Sequence, residues 1–255
     1  MTPASWILRP IIWFAAASMV TTTLHELAHA VVAYALGVRS TLYNYSVNLD
    51  LTQAQADSSA PAIIGVAGPL FCLALGTVAW VAFRRMRGSA AGLPLLYFSV
   101  FGIGTFFGNL LSTPFVGDFS AIAIALQLPM LVRLALGLAG AVAVAMVHFW
   151  AGRELANWVP AKIGRVPGML GVVAAPLLAG TAVVILVSLP MAGTTVTARV
   201  GESFFWVFAA AGALLSKRGS QMPRGDLSLR WVDGAAALIA VLTVRLLVRG
   251  IPFAP

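Results

Sequence analysis

The sequence predicts an all-α polytopic membrane protein of six or seven transmembrane helices, with a short β-like loop after the first span. Three observations predict it. The chain of 255 residues is 60% hydrophobic and 9% charged, with a mean hydropathy of +0.94. No water-soluble domain of this size needs so much apolar surface. The apolar residues run in blocks long enough to cross about 30 Å of hydrocarbon as helices. Lys and Arg gather at the ends of those blocks, where orientation signals and contacts with anionic lipid belong. The net charge of +8 therefore implies a lipid bilayer as partner and no nucleic acid.

The first span covers about residues 11–37 and carries polar residues in its second half. Because of them, and for want of a basic region and a small-residue cleavage site, it is not expected to be a removable signal peptide. A polar stretch follows at 38–59. The second span is about 60–83, closed by Arg84, Arg85 and Arg87. The third is about 93–111 and leads into STPFVGDF. The stretch 120–130 reads as a partial or interfacial helix. Further spans are expected at about 131–150, 169–191, 202–215 and 231–248, the one at 202–215 being short. Cys72 is the only cysteine and lies in an apolar run, so neither a disulfide framework nor a thiolate metal site is available.

In the polar stretch, Tyr43, Tyr45, Val47, Leu49 and Leu51 alternate with polar residues. That is the period of a half-buried strand. A strand edge there could pair with an extended peptide, with Tyr45 and Val47 as candidate substrate contacts. The plain alternative is an extramembrane hairpin.

The first span contains His25, Glu26 and His29 in the order H-E-x-x-H. On a helix, positions i and i+4 share a face, so both imidazoles can reach one metal ion. A Glu after the first ligand supplies a base for a water at that metal. A charged Glu and two His are costly in lipid and mark a functional site by default. The bland alternative is a His–Glu hydrogen-bonded pair that packs helices.

A third ligand must come from elsewhere. Asp118 ends an apolar span and follows Pro114 and Gly117, which break the helix and turn the chain back toward a cavity. An ordinary helix N-cap would also explain it. His148, alone in AVAMVHFW, reads more readily as a helix–helix hydrogen-bonding residue. Asp50 and Asp57 read as solvated.

Three pieces of the chain, in order, resemble the site-2 proteases, a family of intramembrane zinc metalloproteases. They are HELAHAVVAYALGVR (25–39), GVAGPL (65–70) and NLLSTPFVGDF (109–119). The resemblance spans about 11–119, the family's three-helix catalytic core, and so implies a catalytic membrane core in residues 1–130, with 131–255 adding helices of unassigned role. It implies Zn2+ held by His25, His29 and Asp118, Glu26 as catalytic general base, and Asn109 as a substrate or oxyanion contact. It also implies a β-loop after the first span. The chain departs from the family's Leu-Asp-Gly, having Gly117-Asp118-Phe119, and Asn109 stands nine residues before Asp118. Small residues such as Gly65 and Gly68 also let helices pack closely whatever their function.

The expected activity is cleavage of a peptide bond in or near the transmembrane segment of a substrate protein. A regulatory membrane partner and a multi-pass location in a prokaryotic cell membrane are expected with it. Two other classes stand beside this one: a catalytically silent zinc-binding relative acting as a binding partner, and a metal-ion transporter. The first has no use for Glu26. The second would spread polar residues along a path, whereas here they cluster. With seven spans, eleven of the 16 Lys and Arg residues fall on the side of the N-terminus. The charge rule therefore puts that side in the cytosol. The resembling family runs its H-E-x-x-H helix the other way.

Overall fold

The computed structural model describes residues 5–159, 163–189, 204–216 and 230–255. The chain begins with α1 (Ser5–Ala35), about 46 Å long at 1.5 Å per residue. It ends where Gly37, at φ +73°, turns the chain into the sheet. Strands β1 (Arg39–Leu42) and β2 (Val47–Asp50) form a hairpin, followed by a single turn, α2 (Gln53–Ala56). Then come α3 (Ala60–Met86), α4 (Gly92–Ser112), the short α5 (Asp118–Ala125) and α6 (Met130–Ala156). Next, α7 (Arg165–Met169) runs through two π-helical turns, Leu170–Ala174 and Pro176–Gly180, into α8 (Thr181–Val187). The last elements are α9 (Trp206–Leu215), α10 (Trp231–Leu247) and β3 (Ile251–Phe253).

Among the described residues, five helices are long and apolar enough to cross a membrane: α1, α3, α4, α6 and the stretch Val166–Val187. Their outer faces are apolar as well. Val78, Leu138, Met146 and Leu178 are each two-thirds or more exposed, a surface that suits lipid and not water. The expected short span at 202–215 corresponds to α9, about 15 Å long and half the hydrocarbon thickness; residues 202 and 203 lie outside the described residues. The helix expected at 131–150 extends to Ala156, because Glu154 is paired with Arg87 between α3 and α4.

The stretch read as one strand from Tyr43 to Leu51 is a hairpin. Residues 43–46 form its turn, with Tyr43 N–H donating to the Ser46 carbonyl at 2.8 Å. Asn44 and Ser46 are turn formers, and their alternation with Tyr43 and Tyr45 imitates a strand. Leu42 faces Val47 and Ser40 faces Leu49 across the hairpin, and β3 adds antiparallel to the other side of β1, Leu42 opposite Ile251. The order is β2-β1-β3. Since 43 and 46 exchange a bond, the alternation of an antiparallel ladder turns the N–H groups of Val47 and Leu49 outward, to an open edge. The inner face rests on α1 and α10, with Leu42, Val47, Ile251 and Phe253 against Leu27, Ala30 and Leu247.

Two features lock the bundle. Helices approach closely at glycines: a Cβ on Gly76 of α3 would come within 2.5 Å of the Ile103 nitrogen of α4. At the opposite end from the sheet, Asp233 of α10 is fully buried and accepts from Arg9 Nε (3.1 Å) and Trp13 Nε1 (2.6 Å) of α1. Arg9 also donates to the Ala90 carbonyl between α3 and α4 (2.7 Å). One buried ion pair thus ties three chain segments.

Removing one partner of a buried pair leaves an uncompensated charge. Asp233→Ala should therefore lose about 3–5 kcal/mol of stability, read as a lower unfolding temperature in detergent. An Arg9→Met/Asp233→Leu double variant should recover much of it.

Candidate metal centre

His25 and His29 lie one turn apart on α1, both nearly buried. Their Nε2 atoms are 3.1 Å apart. Asp118 Oδ2, arriving from the start of α5, is 3.0 Å from His25 Nε2 and 3.4 Å from His29 Nε2. These are the three residues expected as ligands, and among the described residues they form the one cluster of His, Cys or acidic groups able to hold a metal ion. Burial alone would favour a protonated Asp118, but positive charge shared with the facing nitrogens of His25 and His29 outweighs it and holds this carboxyl below the usual carboxylate range.

The tautomers follow from the outer contacts. His29 Nδ1–H donates to the Ile64 carbonyl of α3 at 2.6 Å, which leaves Nε2 a lone pair. His25 Nδ1 faces Cys72 Sγ at 3.6 Å, and that thiol lies 3.9 Å from the Thr21 carbonyl. Three lone-pair atoms at this spacing repel unless a proton or cation lies among them. Ligand atoms about 2.0–2.1 Å from a tetrahedral zinc sit about 3.3 Å apart, close to the separations here. The donor set of two imidazoles and one carboxylate fits zinc with one position open.

The chain around the site is shaped to it. A Cβ on Gly68 of α3 would fall on His29 Nε2 and lie 2.8 Å from His25 Nε2. Only glycine therefore lets both rings rest on α3. Beside it, Pro69 removes the hydrogen bond that would close on Gly65 and loosens the helix near the Ile64 carbonyl. Gly117, at φ +96° and ψ −174°, makes the sharp corner that aims Asp118 inward. Asp118 is thus the first residue of α5, and Gly117 occupies the cap position. Arg133 of α6 holds this corner from outside, donating to the carbonyls of Thr113 (3.4 Å) and Pro114 (3.1 Å) and to Ser120 Oγ (3.3 Å).

Glu26, half-buried beside the cluster, has no hydrogen-bond partner among the described residues. Asn109 Nδ2 donates to the Thr105 carbonyl at 3.1 Å. Its Oδ1 lies 3.4 Å from where a Cβ on Gly117 would stand. Val47 is the first residue of β2. Tyr45 lies in the hairpin turn and packs against a cluster that includes Met19, Val184 and Val244. His148 belongs to α6 and is not part of the cluster; its Nδ1–H donates to the Val144 carbonyl of its own helix. Nothing in the sequence singles out Ile64, Cys72 or Arg133 as supporting residues, and Gly68 stands out there only as part of GVAGPL and as a small residue for close helix packing. Backbone acceptors leave no pattern in a sequence, although the GVAGPL piece does mark the place.

The chain matches no family model, no curated protein and no solved structure.

Two substitutions outside the ligand set should abolish metal uptake about as fully as His29→Ala. Gly68→Ala drives a methyl into both rings, and Gly117→Ala forces the corner that aims Asp118. His148→Ala should leave the metal in place. Metal analysis of the purified variants decides; full zinc in Gly68→Ala would refute the assigned geometry.

Proposed function

We propose that this chain is an intramembrane zinc metalloprotease that cuts a peptide bond in or near a transmembrane segment of another protein. The observation that carries this reading is the convergence of His25, His29 and Asp118 inside an apolar bundle, with Glu26 unbonded beside them. A bound zinc supplies a Lewis acid for a carbonyl and lowers the pKa of a water. A purely structural site would use its open position for a fourth protein ligand, and would have no need of a free carboxylate.

The roles of the side chains follow. His25, His29 and Asp118 hold the ion, with His29 oriented by Ile64 and His25 facing Cys72. Glu26 takes a proton from water and returns it to the leaving nitrogen. The Asp118 side chain is 27% exposed, which leaves water a route to the site. A membrane helix keeps its peptide bonds hidden in its own hydrogen bonds, so a substrate must unwind to be cut. The outward N–H groups of Val47 and Leu49 offer the unwound backbone new partners. Six or seven spans and a prokaryotic cell membrane remain part of this reading, as does a regulatory membrane partner.

Glu26→Gln keeps shape and hydrogen bonding but removes the base. It should retain zinc and lose cleavage of a membrane substrate by a factor of about 10² to 10⁴. Near wild-type cleavage by this variant would remove Glu26 from the mechanism. Val47→Pro deletes an outward N–H donor without touching the ligands. It should slow cleavage at unchanged zinc content, and helix-breaking residues in the substrate should restore part of the rate. A folded, zinc-loaded and fully active Val47→Pro protein would show that the edge does not hold the substrate.

A further inference from the structure

Between α4, α6 and α9 lies a cavity of about 420 Å³. Gly104 and Gly108 of α4 line it one turn apart. They differ from the glycines that bring helices together. A Cβ on Gly108 would meet nothing within 4 Å, and one on Gly104 would meet only His148 Cε1, at 3.8 Å. Alanine would fit at both positions and would make a better helix. What the two glycines provide is open space.

The cavity has one buried polar group with unused capacity. His148 is 7% exposed and lines the wall. Its Nδ1 contacts a carbonyl, which can only accept, so Nδ1 carries the proton and Nε2 presents a lone pair. No described residue donates to that Nε2. Around it the wall is aromatic: Phe101, Phe205 and Trp206, with the Trp206 ring edge-on to His148 at 5.1 Å. At its other end the cavity is lined by Asn109 and Ser112, which adjoin the Gly117–Asp118 corner. It therefore runs from side chains that adjoin the Gly117–Asp118 corner to a buried acceptor among aromatic rings. A mostly apolar pocket of this size with a few placed polar groups, one of them a buried acceptor, suits an amphipathic aromatic group.

We propose that this cavity is a specificity pocket that receives an indole or phenol side chain from the segment being cut, near the scissile bond. The N–H or O–H of that side chain donates to His148 Nε2. This assignment rests on the proteolytic reading of the metal centre. The test uses full-length protein in nanodiscs, with 5-fluoroindole as donor-bearing probe and 4-fluorotoluene as its donor-free counterpart, both followed by fluorine NMR. Zinc is measured on the same samples. Wild type should bind 5-fluoroindole saturably, one per chain. Gly108→Leu, which projects a side chain into the cavity without meeting backbone, should weaken both probes at least about tenfold while zinc is unchanged. His148→Leu should weaken 5-fluoroindole roughly five- to tenfold and leave 4-fluorotoluene within about twofold. Non-saturable uptake, or saturable uptake that Gly108→Leu does not weaken, overturns the pocket. Equal losses for both probes in His148→Leu overturn the hydrogen bond. Indole binding by protein whose cluster takes up no zinc would instead defeat the proteolytic reading, and the substrate as occupant with it.

Discussion

Two imidazoles and a carboxylate meet within 3.4 Å inside a bundle built otherwise of apolar side chains. Polar groups at that depth must be satisfied by one another, by backbone or by a cation, because lipid offers them nothing. Much of the local architecture answers this requirement. The Ile64 carbonyl takes the outer proton of His29, Gly68 gives the rings room against α3, and Gly117 with Arg133 brings Asp118 in from the bundle's end. Helices α1, α3 and α4 are packed so that these few atoms coincide. Helix α6 closes on α4 from behind, and through Arg133 it steadies the corner from which Asp118 projects.

The same constraint explains the opposite end of the bundle. Arg9 and Asp233 are almost wholly buried, and their bonds to described residues join α1, the start of α10 and the α3–α4 turn. This cluster and the metal cluster both draw on α1, which is therefore held at both of its working ends. The sheet sits on the helix just beyond His29, with Ala30 beneath Leu42. Its open edge and the two imidazoles are thus both anchored on α1, and an extended peptide bound to that edge would be positioned by α1 itself.

Some of this was legible in the sequence. His25, Glu26 and His29 are local, and helical periodicity alone puts the two imidazoles on one face. Asp118 could be singled out from Pro114 and Gly117, since breakers at the end of an apolar run leave few directions for the chain. The long helices could be read from composition because lipid demands uninterrupted apolar runs. What could not be read depends on contacts distant in sequence. β3 is three residues long, and only its pairing with β1 makes it a strand. The hairpin turn at 43–46 kept the alternation of a strand and concealed the bend. Gly108 and Gly76 look alike in the sequence, yet one keeps a space open and the other brings two backbones together.

The central claim is that His25, His29 and Asp118 bind one zinc and leave a position open for chemistry. X-ray absorption on the purified, zinc-loaded protein tests it most directly. The account predicts one zinc per chain, two imidazole scatterers and oxygen ligands at about 2.0–2.1 Å, with one imidazole lost in His29→Ala. A sulfur scatterer at about 2.3 Å would bring in Cys72 and contradict the assigned ligand set. Folded protein that takes up no metal would contradict the account as a whole.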